Sequence, residues 1–414
     1  MKHNLLWDRK LLSNGLRVLL LPQPSANSVQ LSVATEYGSN DDSDEKAGAA
    51  HYLEHMLAGG SRLRINLSRR IEELGGLIDF YTDYEYTMSS VNILPEQLKE
   101  ASSVLSEILF CSSFEEEKAS LERKIILNEL HEISDDPCIK VEALLLKNLF
   151  KNHPVKRPIG GLPKTVSKLS LNELTEAHHR YYTPRNMILV LTGAFSSKDV
   201  ETYIQDFGCN DIQNTIPKKT RLNEETKLKK QVIRRKAGIT QTYLSIGART
   251  VPSRHQDVPK IDLINTIIGT GASSRLFTEL REKEGITYDI HSSHECGLDF
   301  GYFIISCAVK EKNLLRAEEL TKRELSRLKT EKVTKTELAK CKKMILGGIL
   351  RGFDSPEDCA DILANTEIQF KNETAIMDYI GRMETVTPDD LLEISNKYFQ
   401  EDDFSMAIVA PKAL

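Results

Sequence analysis

The chain has 414 residues, enough for two or three domains that each bury a core of their own. Its 40% hydrophobic and 28% charged residues match an ordinary globular protein, and a net charge of −5 argues against nucleic acid or an anionic membrane as the main partner. The start, Met1-Lys2-His3-Asn4-Leu5-Leu6-Trp7-Asp8, lacks the apolar core of a signal peptide, and no membrane-length apolar run follows, so a cytoplasmic location is expected. Cys111, Cys138, Cys209, Cys296, Cys307, Cys341 and Cys359 show no C-x-x-C spacing and read as reduced thiols.

In chain order, Leu16 to Leu21 and Val29 to Thr35 read as strands, the first a continuous apolar run and the second alternating. Two helices are expected next, one through His51 to His55 and one around Leu67 to Leu74, stopped by Gly75-Gly76, with a strand after that turn. A strand over Tyr86 to Ile93 is followed by a helix opened by Pro95 and running to about Phe110. Further helices are expected at Glu115 to Ile133, Ile139 to Leu149 and Asn172 to Tyr182, then a buried strand at Met187 to Leu191 and a helix at Ser197 to Phe207.

Gly208 to Lys230 is polar and carries Pro217, which marks a linker between a domain at 1–210 and a domain at 231–414, the linker itself being 211–230. The basic run from Lys218 through Arg235 contains Glu224 and Glu225 and no interleaved aromatics, so it reads as part of that solvated linker. In the second half, strands are expected at Thr240 to Ile246, Gly285 to Ser292, Tyr302 to Val309 and Ser405 to Val409. Helices fill the remainder, at Val258 to Ile268, Ser274 to Glu282, Leu314 to Leu328, Lys335 to Leu350, Pro356 to Phe370, Ala375 to Met383 and Pro388 to Tyr398. Gly269-Thr270-Gly271-Ala272-Ser273 lacks the third glycine and the βαβ setting of a dinucleotide loop. Both halves repeat one order of elements, which predicts an α+β fold of two similar domains, each an antiparallel sheet packed by helices.

The chemistry-bearing stretch is His51-Tyr52-Leu53-Glu54-His55. On a helix, His51 and His55 are i and i+4, so both imidazoles leave one face and are placed to bind one zinc ion. Glu54 lies beside them, near enough to serve as a general base toward water. The bland alternative is an amphipathic helix with two hydrogen-bonded histidines. A catalytic zinc needs a third protein ligand, and the helix at Glu115 to Ile133 offers Glu122, Glu129 and Glu132. Spacing alone does not choose among them.

Glu122-Arg123-Lys124-Ile125-Ile126-Leu127-Asn128-Glu129-Leu130, with Asp136-Pro137 after it, resembles the second motif of the pitrilysin/insulinase family, and the inverted H-x-x-E-H order resembles its first. His153-Pro154-Val155-Lys156-Arg157-Pro158-Ile159-Gly160-Gly161, the segment His179 to Phe195, and Leu280-Arg281-Glu282-Lys283-Glu284-Gly285-Ile286-Thr287-Tyr288 extend the resemblance over nearly the whole chain. It implies zinc held by His51, His55 and Glu129, with Glu54 as base and Glu122 as a supporting carboxylate. It also implies that Arg281 and Tyr288 contact substrate and stabilise the oxyanion. A zinc endopeptidase acting on extended or unfolded peptides is the implied activity. Each chain would form one half of a clam-like chamber, completed by a second copy or by a related, unlike subunit. A dedicated protease for a small precursor peptide, and a non-catalytic partner subunit, are the alternatives. Two departures bear on substrate preference: Asp79-Phe80 stands where the family usually has Asn-Ala, and Ala58-Gly59-Gly60-Ser61 replaces aromatic-Lys-Gly-Thr.

Overall fold

Alternating side chains on Val29–Thr35 set the first sheet, with Val29, Leu31 and Val33 entering one core while Gln30, Ser32 and Ala34 are buried on the opposite face. A strand buried on both sides needs a layer on each, and both layers are present. The computed structural model describes residues 5–59, 62–111, 113–196, 198, 200–208, 224 and 231–411. They fall into two compact units: 1–131, 157–220 and 350–376 in the first, and 132–156, 221–349 and 377–414 in the second.

The first sheet contains β1 (Asp8–Leu11), β2 (Arg17–Pro22), β3 (Val29–Thr35), β4 (Leu77–Thr82), β5 (Thr87–Ile93) and β6 (Met187–Gly193), in the spatial order β1-β2-β6-β3-β5-β4. The second contains β7 (Gln231–Lys236), β8 (Thr242–Arg249), β9 (Thr287–Cys296), β10 (Gly301–Val309) and β11 (Phe404–Pro411), in the order β7-β11-β8-β10-β9. Without β1, the two orders are the same, strand for strand. Each sheet is antiparallel except for one ladder, β2 with β6 and β7 with β11, and these stand at equivalent places. The fold is α+β with two similar domains, and the repeated order of elements read from the sequence reappears as one repeated topology.

Each unit receives a helix that the sequence attaches to the other half. The helices α1 (Ala49–Gly59), α2 (Arg62–Glu73), α3 (Leu98–Phe110) and α4 (Glu116–Asp135) follow one another, and then α5 (Pro137–Leu149) packs on β8 and β11 of the second sheet. Asn148 Nδ2 donates to the Met406 carbonyl there. Conversely, the helix Pro356–Phe370 packs on β2, β3 and β6, where Thr192 Oγ1 donates to the Pro356 carbonyl and Arg9 pairs with the buried Glu367.

Two short strands went unread in the sequence. β1 is brief and exposed, so it carries no apolar signal. The strand β7 takes up Arg234 and Arg235, which corrects the reading of the basic run as linker through Arg235. Positive side chains there suit an edge strand, since they discourage pairing with further chains. The linker expected at 211–230 lies outside the described residues except for Glu224. Among the described residues no helix is long and apolar enough to cross a membrane, and the six described cysteines are free thiols.

The exchanged helix α5 begins with Asp136 as its N-cap, whose carboxylate accepts from Cys138 N at 2.7 Å and Ile139 N at 3.3 Å, and with Pro137 in the first turn. Asp136→Ala should cost about 1 kcal/mol of stability, whereas Asp136→Asn should retain most of it. Urea unfolding followed by helical circular dichroism measures both, and equal midpoints for the two variants would exclude the cap as the cause.

Candidate metal centre

The helix α1 is apolar on the side that meets the core: Ala49, Ala50, Tyr52, Leu53, Met56 and Leu57 are buried. His51, Glu54 and His55 are left on the remaining face by the 3.6-residue repeat. Two contacts lay α4 across that face. Tyr52 Oη donates to the Ala119 carbonyl, and the Arg123 guanidinium lies 5.9 Å from the Tyr52 ring centroid. Glu122 and Glu129, two turns apart on α4, therefore both look at α1.

Two imidazoles and three carboxylates converge as a result. His51 Nε2 is 3.7 Å and His55 Nε2 3.5 Å from the same oxygen of Glu129, and the potential ligand atoms of these three residues all lie within 4.8 Å of one another. His55 Nδ1 is 3.3 Å from Glu122 Oε2, so Glu122 orients the ring and leaves Nε2 for a metal. Glu54 Oε2 is 3.9 Å from His51 Nε2 and accepts from Thr82 Oγ1 at 3.0 Å. Two neutral nitrogens and one carboxylate, with a second carboxylate alongside, form a donor set that suits zinc with one position left open. Arg281 and Tyr288 are brought to each other in the second unit. Arg281 Nη1 donates to the Tyr288 carbonyl at 2.9 Å, and its guanidinium lies 4.5 Å from the Tyr288 ring centroid. Arg281 belongs to a π-helical stretch, Phe277–Lys283, while the Tyr288 side chain is exposed.

Further residues, unread in the sequence, hold α1 in place. Asp42 is buried, and its carboxylate accepts from Gly48 N, Ala50 N and Tyr37 Oη. Arg157 donates to the Asp42 and Ser39 carbonyls and pairs with Asp44 at 2.6 Å. The loop after Arg157 lies against the start of α1 so closely that a Cβ on Gly161 (φ +80°) would sit 2.3 Å from the Ala47 carbonyl oxygen. That is the physical use of the His153 to Gly161 segment: its glycines admit the loop beside His51. Thr82 and Asp42 had no sequence signal, because threonine at a strand end and aspartate before a helix are commonplace.

The electrostatics follow from burial. Burial, aided by neighbouring His55, pushes His51 down to about 4, so it is a neutral ligand at physiological pH. Burial acts to lower His55 as well, yet the hydrogen bond to Glu122 and the charges of Glu54, Glu122 and Glu129 raise it on balance. Burial also lifts the Glu54 carboxyl to about 7, against the pull of His55 and Thr82. A base poised near neutrality is suited both to take and to return a proton.

Residues 17–161 match the family described as Insulinase (Peptidase family M16), and residues 168–345 match one described as Peptidase M16 inactive domain. A Bacillus subtilis relative named "Uncharacterized zinc protease YmxG" is 26% identical over 403 residues, covering 96% of this chain and 97% of its own. Among solved structures, a protease from Helicobacter pylori aligns with a TM-score of 0.91 at 20% identity, covering 98% of this chain and 99% of its own. A protein described as "putative M16-like peptidase from Alicyclobacillus acidocaldarius" aligns with a TM-score of 0.88 at 20% identity, covering 98% of each chain. These two share the fold.

In metal-free protein, the folded state keeps a proton on Glu54 that the unfolded chain releases, so this group withdraws stability as pH rises from about 4.5 to about 7. Glu54→Gln removes that loss. In the presence of chelator, the variant should gain about 1–3 kcal/mol on the wild type between about pH 5 and about pH 8, by urea unfolding at each pH. A difference that is the same at both values would mean that Glu54 titrates as an ordinary carboxylate.

Proposed function

Because the chain belongs to the pitrilysin/insulinase peptidase family (M16), we propose that it is a zinc-dependent endopeptidase acting on extended or unfolded peptides. The observation that carries this reading is the convergence of His51 Nε2, His55 Nε2 and the Glu129 carboxylate, with Glu54 beside them. His51, His55 and Glu129 would hold the ion, and Glu122 would orient His55. The chemistry zinc supplies when bound is Lewis-acid polarisation of the scissile carbonyl and acidification of water. Glu54 takes the proton of the attacking water, whose oxygen adds to the carbonyl carbon. Glu54 then delivers that proton to the leaving nitrogen as the C–N bond breaks. Thr82, donating to Glu54, holds the carboxylate in place for both transfers.

The peptide is proposed to add as a further strand to β4, an edge of the first sheet among the described residues and part of the strand that carries Thr82. Arg281 and Tyr288, both hydrogen-bond donors, are assigned to the developing oxyanion. We assign them to the site of a second copy, in a homodimer that encloses the substrate. The complete ligand set and base favour a catalytic subunit over a non-catalytic one.

Purified protein should hold about one zinc per chain, and chelation should abolish peptide hydrolysis. Glu129→Gln should lose the metal. Glu54→Gln should keep it yet lose turnover by about a hundredfold or more. Metal content by mass spectrometry, beside cleavage of a peptide mixture, separates the two roles; a Glu129→Gln chain with full zinc would remove Glu129 from the ligand set.

The homodimer makes a separate prediction. Mixing a Glu54→Gln chain with an Arg281→Ala, Tyr288→Phe chain should restore activity, because one of the two sites in a mixed dimer then has every part. Alone, the second variant should lose about 2–4 kcal/mol of transition-state stabilisation. Differently tagged chains, isolated as the mixed species, provide the measurement, and no rescue in a verified mixed dimer would place the donors within their own chain or outside the reaction.

A further inference from the structure

Building on the peptidase reading, the first unit carries a feature that bears on which peptides pair with β4. Ile78 and Phe80 turn towards the core, so by strand alternation Leu77, Asp79 and Tyr81 lie on the other face. Leu77 and Asp79 are exposed there. Tyr81 Oη donates to Asp361 of the helix Pro356–Phe370 at 3.2 Å, which brings that acid under the same face of the strand. Neither β4 nor this helix contains a lysine or arginine. Among the described residues, the Asp79 carboxylate has no ion pair or hydrogen bond. Burial holds the Asp361 carboxyl above its usual range, and the charges of Glu357, Asp358 and Asp79 push the same way.

The second unit shows how the duplicated fold settles the corresponding place. The strand in the place of β4 is β9, and its His291, opposite Ser306 on β10, is turned to the exchanged helix of its unit as Tyr81 on β4 is. His291 Nε2 lies 3.6 Å from Glu142 of the exchanged helix α5, and Glu142 also accepts from Ser306 Oγ at 2.8 Å. In the second unit a group able to carry positive charge thus meets the acid of the exchanged helix. The first unit has Asp79 on that face of β4 and Asp361 on the helix, the latter accepting from the Tyr81 hydroxyl, and among the described residues no group able to carry positive charge is paired with either.

We propose that the missing cation comes from the substrate: Asp79, with Asp361 behind it, selects a lysine or arginine on the peptide strand that pairs with β4. Side chains directly opposite on neighbouring strands share a face and lie within contact distance, so one substrate position meets Asp79. An opposite charge there is favoured and a like charge disfavoured. The positions on either side project to the other face and are not read by Asp79.

The test uses peptides with one cleavage site, in which a single lysine, or a single glutamate, is moved one residue at a time through an otherwise neutral sequence. Zinc-loaded wild type should prefer lysine over glutamate by about three- to tenfold at one position, with no preference at its immediate neighbours. Asp79→Asn should bring the ratio close to one, and Asp79→Lys should invert it. Equal rates for lysine and glutamate at every position, or a preference that both variants leave unchanged, would overturn the proposal. Affinity of the same peptides for the Glu54→Gln chain gives a second readout. If the wild type cleaves none of them, the peptidase reading falls; position-dependent lysine preference in binding would then still support selection by Asp79, and its absence would overturn that as well.

Discussion

Everything in the first unit's site depends on α4 lying across α1, held by Tyr52 and Arg123, so that carboxylates meet imidazoles in a partly buried place. Grouping Glu54, Glu122 and Glu129 beside two histidines is unfavourable without a counter-charge, since burial raises the cost of each ionised acid. The shift of Glu54 towards its protonated form reflects this, while burial and His55 drive His51 neutral. A divalent cation relieves both tensions at once. Around α1, Asp42, Arg157 and the Gly160-Gly161 loop hold its first turn.

The second unit repeats the strand order but fills the corresponding helix face with ordinary polar contacts. Asp262, Asn265 and Thr266 on the helix Val258–Gly269 have the same spacing as His51, Glu54 and His55 on α1. Asp262 pairs with His294 at 2.7 Å and accepts from Tyr379 Oη, while Asn265 Oδ1 accepts from Ser292 Oγ at 2.6 Å. His294 in turn lies 3.0 Å from Thr250 Oγ1. Side chains partner one another where the first unit gathers potential metal ligands, so one topology supports a ligand site in one copy and a closed hydrogen-bond network in the other.

Much of this was legible in the chain. The two histidines of α1 could be read because helical spacing places them on one face whatever surrounds them. Glu129 was different: a run of carboxylates on one helix does not say which reaches across, and only the resemblance separated it from Glu122 and Glu132. The strands β3, β5, β6 and β10 announced themselves through buried apolar residues, whereas β1 and β7 are charged edges: β1 joins the neighbouring β2 with no apolar pattern of its own, and β7 joins β11 near the far end of the chain. Thr82, Asp42 and Arg157 act through geometry that exists only once the chain has folded. Nor does an amphipathic helix state which sheet it will cover, so the exchange of α5 and Pro356–Phe370 had no signature.

That exchange has a consequence for how the chain comes into being. During synthesis, the strands of the first sheet leave the ribosome well before the helix Pro356–Phe370 that covers β2, β3 and β6. At roughly 5–20 residues per second, the interval after β6 is on the order of ten seconds or more. Throughout it, one face of β3 that is fully buried in the finished fold has no cover of its own. That face mixes the polar Gln30, Ser32 and Thr192 with the apolar Leu19, Ile188 and Val190, so part of it is adhesive until the helix arrives. Completion of the first unit therefore waits for a piece that arrives only when most of the second has already been made.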